Sequence, residues 1–268
     1  MMLSVSNLAW DVSEDDAALA AVVRSGGGAI DLAPTKLWKD LERVTPADAT
    51  AYAESCRRRG VSIVALQSLL FGKPDLQLFG EPPLRAATLS YLDGVIALGA
   101  ALGASHLILG AAHNRRRNGH SRQACVDLAV PLFRYLADAA QRRSAIFCLE
   151  PMAPQYGCDF VCDTDEAVQL AEKVNHPAFG IALDTGTLAL NGEELGTAVA
   201  TAWPYLRYVQ LAEPELHPID LVAKTEQVRC LRQLGYMGWV SIEMLSQRDG
   251  NDLLRVADAV TQLAGLPR

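Results

Sequence analysis

Eight short apolar runs recur along the 268-residue chain, and each is separated from the next by a longer stretch. The runs are rich in Val, Ile and Leu, and they occupy residues 2–9, 28–33, 61–67, 105–110, 144–150, 179–184, 207–212 and 238–243. The stretches between them carry apolar residues at helical spacing, which is typical of repeated βα units and a parallel sheet. Eight strand-helix pairs fit a closed (β/α)8 barrel better than an open doubly wound sheet, which has roughly five to seven strands.

We expect one domain, because no linker rich in Pro, Gly or Ser divides the chain and the βα unit is its only repeat. The predicted architecture is therefore an α/β fold, a single TIM barrel over residues 1–268. No apolar run reaches the roughly 18 residues that a membrane span requires, and the N-terminus lacks the pattern of a secretory signal. These features predict a cytoplasmic protein that does not associate with a membrane.

The net charge of -7 bears on possible partners. Duplex nucleic acids are bound mainly by Lys and Arg side chains that neutralise phosphates, so an acidic chain argues against a nucleic-acid partner. The six cysteines show no CxxC spacing and are predicted to be mostly buried and reduced. Cys158 and Cys162, in the segment CDFVC, form either a redox or metal element or part of an ordinary loop.

Three of the later apolar runs end in an acidic residue, namely Glu150, Asp184 and Glu243, and Gln210 lies near the end of a fourth. In a barrel of this kind the carboxyl ends of the strands converge on one mouth. Crowded carboxylates repel one another and take up protons unless a cation lies among them. The pattern predicts a divalent-metal site, although a single acid at a strand end is also a common helix N-cap or salt-bridge partner.

Four segments, LEPMAPQYG, LDTGTL, VQLAEPEL and SIEM, resemble motifs of the xylose isomerase-like TIM barrels. This sugar phosphate isomerase/epimerase group includes the ketose 3-epimerases and hydroxypyruvate isomerases. Two earlier segments, SVSNLAWD and LQSLLFGKPDLQLFG, also resemble the family pattern, so the resemblance covers nearly the whole chain. It implies a metal held by Glu150, Asp184, Gln210 and Glu243.

The chain departs from the family pattern at three places. Gln210 replaces the expected histidine ligand, and Thr187 stands where many relatives carry another histidine. A third histidine, after the seventh strand, is replaced by Lys224 or aligns with His217. Glutamine can ligate through its amide oxygen, and an all-oxygen set favours Mn²⁺ or Mg²⁺ over Zn²⁺. Gln210 could instead mark a barrel that has lost its metal.

The resemblance implies a divalent-metal-dependent isomerase or epimerase of carbohydrate metabolism. Its substrate would be a small sugar, a sugar phosphate or a related hydroxy-carbonyl compound, and homo-oligomers are common among similar proteins. Glu150 and Glu243 would transfer a proton as general base and general acid through a metal-stabilised enediolate. The alternatives are a lyase or dehydratase on the same scaffold and a metal-free barrel with a binding role.

Several polar side chains at strand ends or in late motifs are candidates for binding a polyol or keto-sugar substrate. They are Asn7, Gln67, His113, Arg115, Tyr156, Glu213 and Arg248. Arg115 and Arg248 could bind a phosphate or carboxylate through two hydrogen bonds, which indicates an anionic substrate. His106 begins a strand and His176 lies in a turn before one, and both are predicted to be structural.

Overall fold

The computed structural model describes residues 1–266, in which eight parallel strands form a closed barrel. The strands are β1 (Met2–Ser6), β2 (Ala29–Leu32), β3 (Ser62–Leu66), β4 (His106–Leu109), β5 (Ile146–Leu149), β6 (Phe179–Asp184), β7 (Leu206–Leu211) and β8 (Trp239–Ile242). Each strand pairs with the next, and β8 pairs with β1. The predicted (β/α)8 architecture is confirmed, and all eight predicted runs contain a strand.

Nine α-helices surround the barrel within residues 1–266. They are α1 (Asp15–Arg24), α2 (Pro46–Arg58), α3 (Pro82–Leu102), α4 (Arg122–Gln141), α5 (Thr164–Val174), α6 (Thr185–Asn191), α7 (Leu195–Ala202), α8 (Leu221–Gln233) and α9 (Asp252–Ala264). Local chemistry sets their ends: Thr45 and Asp48 form a capping box at the start of α2, and Gly103 ends α3 with a φ of 85°. No described helix is both long and apolar enough to cross a membrane.

The apolar core has two parts. The larger part lies where the outer faces of the strands meet the helices, and a small cluster around Ala65, Ile108 and Cys148 fills the barrel. Tyr208 also belongs to the small cluster, and its hydroxyl donates to Asp31 Oδ1 at 2.6 Å. Burial raises the pKa of Asp31, and this hydrogen bond partly offsets the rise.

All six cysteines are free, as predicted. Four are buried, whereas Cys162 and Cys230 are partly exposed. The described structure thus contains no disulfide.

Candidate functional site

A pocket of about 330 Å³ opens at the carboxyl ends of the strands. Its lining consists of Leu8, Gln67, Ser68, Gly110, Ala111, Glu150, Met152, Tyr156, Asp184, Thr187, Gln210, Glu215, Leu216 and Glu243. A larger groove of about 530 Å³ runs along α3, away from this mouth. All four predicted metal ligands lie in the pocket lining. The parallel register places Asp184 beside Gln210 across β6 and β7, and Glu150 and Glu243 directly follow β5 and β8.

Glu243 is held by two amides. Gln67 Nε2 donates to its Oε1 and Gln210 Nε2 to its Oε2, each at 2.5 Å. The oxygens of both amides, Oε1 of Gln67 and Oε1 of Gln210, are buried without a hydrogen-bond partner. Side chains from β7 and from the end of β3 therefore fix the orientation of the Glu243 carboxylate.

Asp184 has one occupied and one free carboxylate oxygen. Its Oδ1 accepts from the backbone N of Thr187 at 2.7 Å, so Asp184 is the N-cap of α6. Its Oδ2 is buried and has no hydrogen-bond partner. Asp184 therefore acts as a helix cap and still presents a free acceptor at the pocket.

Glu150 follows β5, and the backbone on both sides of it is held in place. Its N donates to Leu109 O at 3.0 Å, and its carbonyl accepts from Arg115 Nη1 at 2.7 Å. Its carboxylate packs against Gly110, where an added Cβ would lie 2.7 Å from Oε2. Glycine at 110 is therefore needed to leave space for this carboxylate.

Burial and mutual repulsion disfavour the charged forms of these acids. Burial, followed by the charge of Asp184, raises the pKa of Glu150 to about 8. Burial also raises the pKa of Asp184 to about 6, although hydrogen bonds from Thr187 and the charge of Lys224 oppose the rise. The pKa of Glu243 is raised well above its usual range by burial and then by Asp184 and Glu150. A cation among the acids would offset these costs.

The chemistry of the donor set fits a hard divalent cation. Three carboxylates are combined with the amide oxygen of Gln210, and two of the available oxygens, Asp184 Oδ2 and Gln210 Oε1, are buried acceptors without a donor. Within residues 1–266, no three His, Cys, Asp or Glu side chains form a metal site by themselves. In this arrangement the three acids therefore do not form a metal site on their own.

Gln67 and Tyr156 are the two predicted substrate-binding residues that line the pocket. The Tyr156 hydroxyl accepts from the backbone N of Glu215 at 2.8 Å and so links the β5 and β7 loops. Asn7 is buried outside the lining, and its Oδ1 accepts from Ala33 N at 2.8 Å. Asn7 therefore ties the end of β1 to the end of β2.

The expectation that Arg115 binds substrate is corrected by its position. The residue is completely buried, and its guanidinium donates to Glu150 O, Val161 O and Cys158 Sγ. The turn after β4 explains this, because Ala111 adopts a φ of 46° and the 3-10 helix Ala112–Arg115 follows it. Arg115 thus supports the backbone that carries Glu150.

Three further predicted residues lie outside the pocket lining. Glu213 forms an ion pair with buried Lys224 at 3.0 Å. Arg248 is exposed and lies 4.0 Å from Asp11, while exposed His113 lines a separate groove. Their loops direct these side chains to other partners or to solvent.

Several lining residues were not predicted as site residues from the sequence, among them Met152, Glu215 and Leu216. Met152 lies two residues after Glu150, so the strand-end rule could have found it. Glu215 and Leu216 adopt successive positive φ angles of 57° and 55°, and no sequence pattern signals this turn.

Comparisons with known proteins agree with this architecture. A family model described as "Xylose isomerase-like TIM barrel" matches residues 19–263. A D-psicose 3-epimerase solved in the presence of D-fructose superposes with a TM-score of 0.78 at 17% identity, covering 99% of this chain and 98% of that one. A D-psicose 3-epimerase from Clostridium cellulolyticum H10, solved with D-tagatose, superposes with a TM-score of 0.79 at 15% identity. The match covers 98% of this chain and 96% of that one.

An apo 3-keto-D-glucoside 4-epimerase from E. coli gives a TM-score of 0.77 at 16% identity, covering 99% of this chain and all of that one. No curated protein sequence matches the chain significantly. At these identities, the superpositions show a shared fold over the full length of both chains.

Proposed function

The chain belongs to the xylose isomerase-like TIM barrel family. We propose that it is a divalent-metal-dependent isomerase or epimerase of a small keto-sugar. The observation that carries the proposal is the pocket itself, where Glu150 and Glu243 accompany Asp184, Gln210 and unpartnered acceptor oxygens. The names of three solved structures with this fold support it, since all three are sugar epimerases.

The pocket favours an uncharged substrate over the anionic one that the sequence indicated. No Lys, Arg or His is among its lining residues, whereas four acids are. Arg115 is occupied by protein acceptors, and Arg248 is exposed outside the lining. Apart from the proposed cation, a phosphate or carboxylate group would therefore meet no positively charged side chain in the lining.

Glu150, Asp184, Gln210 and Glu243 would hold the metal. A divalent cation bound there would polarise the substrate carbonyl and stabilise the negative charge that develops on its oxygen. Asp184 and Gln210 serve only to hold it. Mn²⁺ or Mg²⁺ is expected, because the set contains oxygen donors only.

Glu150 and Glu243 carry out the proton transfer. They follow β5 and β8, so they approach a bound substrate from different sides of the mouth. One carboxylate removes the proton from the carbon beside the carbonyl, and the electron pair of the C–H bond moves toward the carbonyl oxygen. The other carboxylate returns a proton to the opposite face of that carbon, which yields the epimer. Return to the former carbonyl carbon yields the isomer, provided that the proton of the neighbouring hydroxyl passes to the former carbonyl oxygen.

The raised pKa values of both glutamates suit these roles. Glu150, with a pKa raised to about 8, is a stronger base than an ordinary carboxylate. Burial and then the charges of Asp184 and Glu150 raise the pKa of Glu243 well above its usual range, which favours the protonated form that donates a proton. The amide of Gln67 keeps the Glu243 carboxylate in one orientation.

Solvent exchange tests this function. The purified protein is incubated in D₂O with Mn²⁺ and with D-fructose, D-psicose or D-tagatose, and deuterium is followed by NMR and mass spectrometry. We expect deuterium at the carbon beside the carbonyl together with an epimer or isomer. Glu150→Gln and Glu243→Gln should abolish the exchange, whereas Glu172→Gln, a change at an exposed position on α5, should not.

The alternatives give different results. A product lighter by one water would indicate a lyase. Failure to exchange deuterium into any neutral ketose at saturating Mn²⁺ would contradict the proposal. The metal-free binding role has one observation in its favour, since both Glu243 oxygens are satisfied by amide donors without a cation. It would be supported if the protein retained no metal in equilibrium dialysis.

A further inference from the structure

Two cysteines and a buried arginine form a cluster behind the pocket. Cys158 and Cys162 lie in the loop between β5 and α5, separated by three residues, and Cys158 Sγ donates to Phe160 O at 3.2 Å. Arg115 Nε donates to Cys158 Sγ at 3.4 Å. Cys158 is buried, while Cys162 is partly exposed and lines an open groove of about 450 Å³.

A negative charge beside Arg115 would stabilise its buried guanidinium. Its guanidinium is completely buried, and its other donors reach only the backbone carbonyls of Glu150 and Val161. The charge of Arg115 acts on the nearby Glu150 carboxylate, but within residues 1–266 no carboxylate forms an ion pair with Arg115, and the sulfur of Cys158 is its one hydrogen-bond partner that can become anionic. A buried cation is costly unless it is paired.

We propose that Cys158 and Cys162 are an oxidisable dithiol, a modification site for small peroxides, and that its disulfide form weakens the support that Arg115 gives to Glu150. The electrostatics agree with the geometry. The interaction with Cys162 and the charge of Arg115 lower the pKa of Cys158 to about 5, although burial opposes them. The pKa of Cys162 is raised by its interaction with Cys158, by burial and by Glu166.

The chemistry balances with hydrogen peroxide as the oxidant. The Cys158 thiolate attacks one peroxide oxygen, the O–O bond breaks, and hydroxide leaves, so that sulfur is oxidised to a sulfenic acid. The Cys162 sulfur then attacks the Cys158 sulfur and the S–O bond breaks. The departing hydroxide takes the Cys162 proton as water, and the net reaction converts two thiols and one peroxide into one disulfide and two waters.

Closing the disulfide would change the contacts of Arg115. The two sulfurs must approach to about 2.05 Å, and Cys158 loses the negative charge that accepts from Nε. The intervening Val161 adopts a φ of 59°, and its carbonyl accepts from Arg115 Nη2 and from the N of Met152 in the pocket lining. Movement of this segment would therefore also shift Met152 in the pocket wall, and it would shift Arg115, which donates to the carbonyl of Glu150.

Mass spectrometry tests the thiol chemistry independently of any activity. The full-length protein is treated with hydrogen peroxide at pH 6 and pH 8, alkylated and mapped. We expect a loss of two hydrogens, about 2 Da, that localises to Cys158 and Cys162, at rates that differ less than threefold between the two pH values. Cys230, partly exposed and with a pKa raised by burial, should react roughly 100-fold more slowly at pH 6 than at pH 8.

Three variants separate the steps. Cys162→Ser should trap a sulfenic acid on Cys158 that dimedone labels, Cys158→Ser should lose the fast reaction, and Cys230→Ser should behave as the wild type. Thermal unfolding of each variant checks that it is folded. The proposal is overturned if no 158–162 disulfide forms, or if Cys158→Ser oxidises at the wild-type rate.

The functional consequence rests on the proposed function and has its own readout. Peroxide should lower the deuterium-exchange activity of the wild type at least fivefold, and dithiothreitol should restore it. Dithiothreitol does not reverse oxidation of Met152 to its sulfoxide, so recovery identifies the disulfide. Full activity of the disulfide form would refute the link to Glu150. Inactivity of the reduced protein would refute the proposed function and leave the thiol result intact.

Discussion

Replacing Glu150 by Gln should stabilise the metal-free protein. The folded-state pKa of Glu150 is raised from 4.5 to about 8, so the folded protein binds this proton more tightly than the unfolded chain does. The resulting stability is fully present below pH 4.5 and is lost as the pH rises through about 8. Each pH unit in this window costs about 1.4 kcal/mol, so the loss by pH 7 approaches about 3 kcal/mol.

A glutamine at 150 cannot ionise and escapes this loss. In the presence of EDTA at pH 7, Glu150→Gln should therefore unfold at a Tm higher by up to about 6–12 °C, from roughly 2–4 °C per kcal/mol for a chain of this size. The advantage should disappear near pH 4.5. Thermal unfolding followed by circular dichroism measures both, with Glu172→Gln as an exposed control that should show neither effect.

Added Mn²⁺ should reverse the order of stability. A cation that binds the folded protein stabilises it by mass action, and wild-type Glu150 offers a charged ligand that glutamine lacks. The reasoning would be refuted if metal-free Glu150→Gln were no more stable than the wild type at pH 7, or if its advantage were the same at pH 4.5.

Three further changes have defined outcomes. Gln210→His should strengthen Zn²⁺ binding relative to Mg²⁺ by roughly tenfold or more, as measured by calorimetric titration, and an unchanged preference would exclude Gln210 from the ligand set. Gly110→Ala places a methyl group 2.7 Å from the Glu150 carboxylate, so it should reduce deuterium exchange at least tenfold, and wild-type exchange would count against this placement of Glu150. Tyr208→Phe removes a hydrogen bond to buried Asp31 and should cost about 2 kcal/mol in urea unfolding, whereas a loss below about 0.5 kcal/mol would indicate that Asp31 finds another donor.

The sequence was most informative where a short-range rule governs the structure. Strands are marked by apolar runs, and the carboxyl ends of barrel strands converge, so reading the last residue of each run placed Glu150, Asp184 and Glu243 at one mouth. The same rule placed Gln67, the last residue of the third run, at this mouth. These placements depend on topology alone, which the pattern of runs determines.

The loops between strands and helices were less predictable. Arg115 was expected to face a substrate, but a positive φ at Ala111 and the following 3-10 helix direct it to the backbone of Glu150. Arg248 has a φ of 54° and lies in an exposed loop. Such turns arise from local packing and hydrogen bonding, for which a single sequence carries no periodic signal.

Anomalous diffraction from crystals soaked in Mn²⁺ tests most directly the claim that this pocket holds a metal. We predict one manganese peak in contact with Glu150, Asp184, Glu243 and the amide oxygen of Gln210, with the Gln210 amide turned from its donor contact with Glu243. At saturating Mn²⁺, an absent peak, with both amides still donating to Glu243, would contradict it.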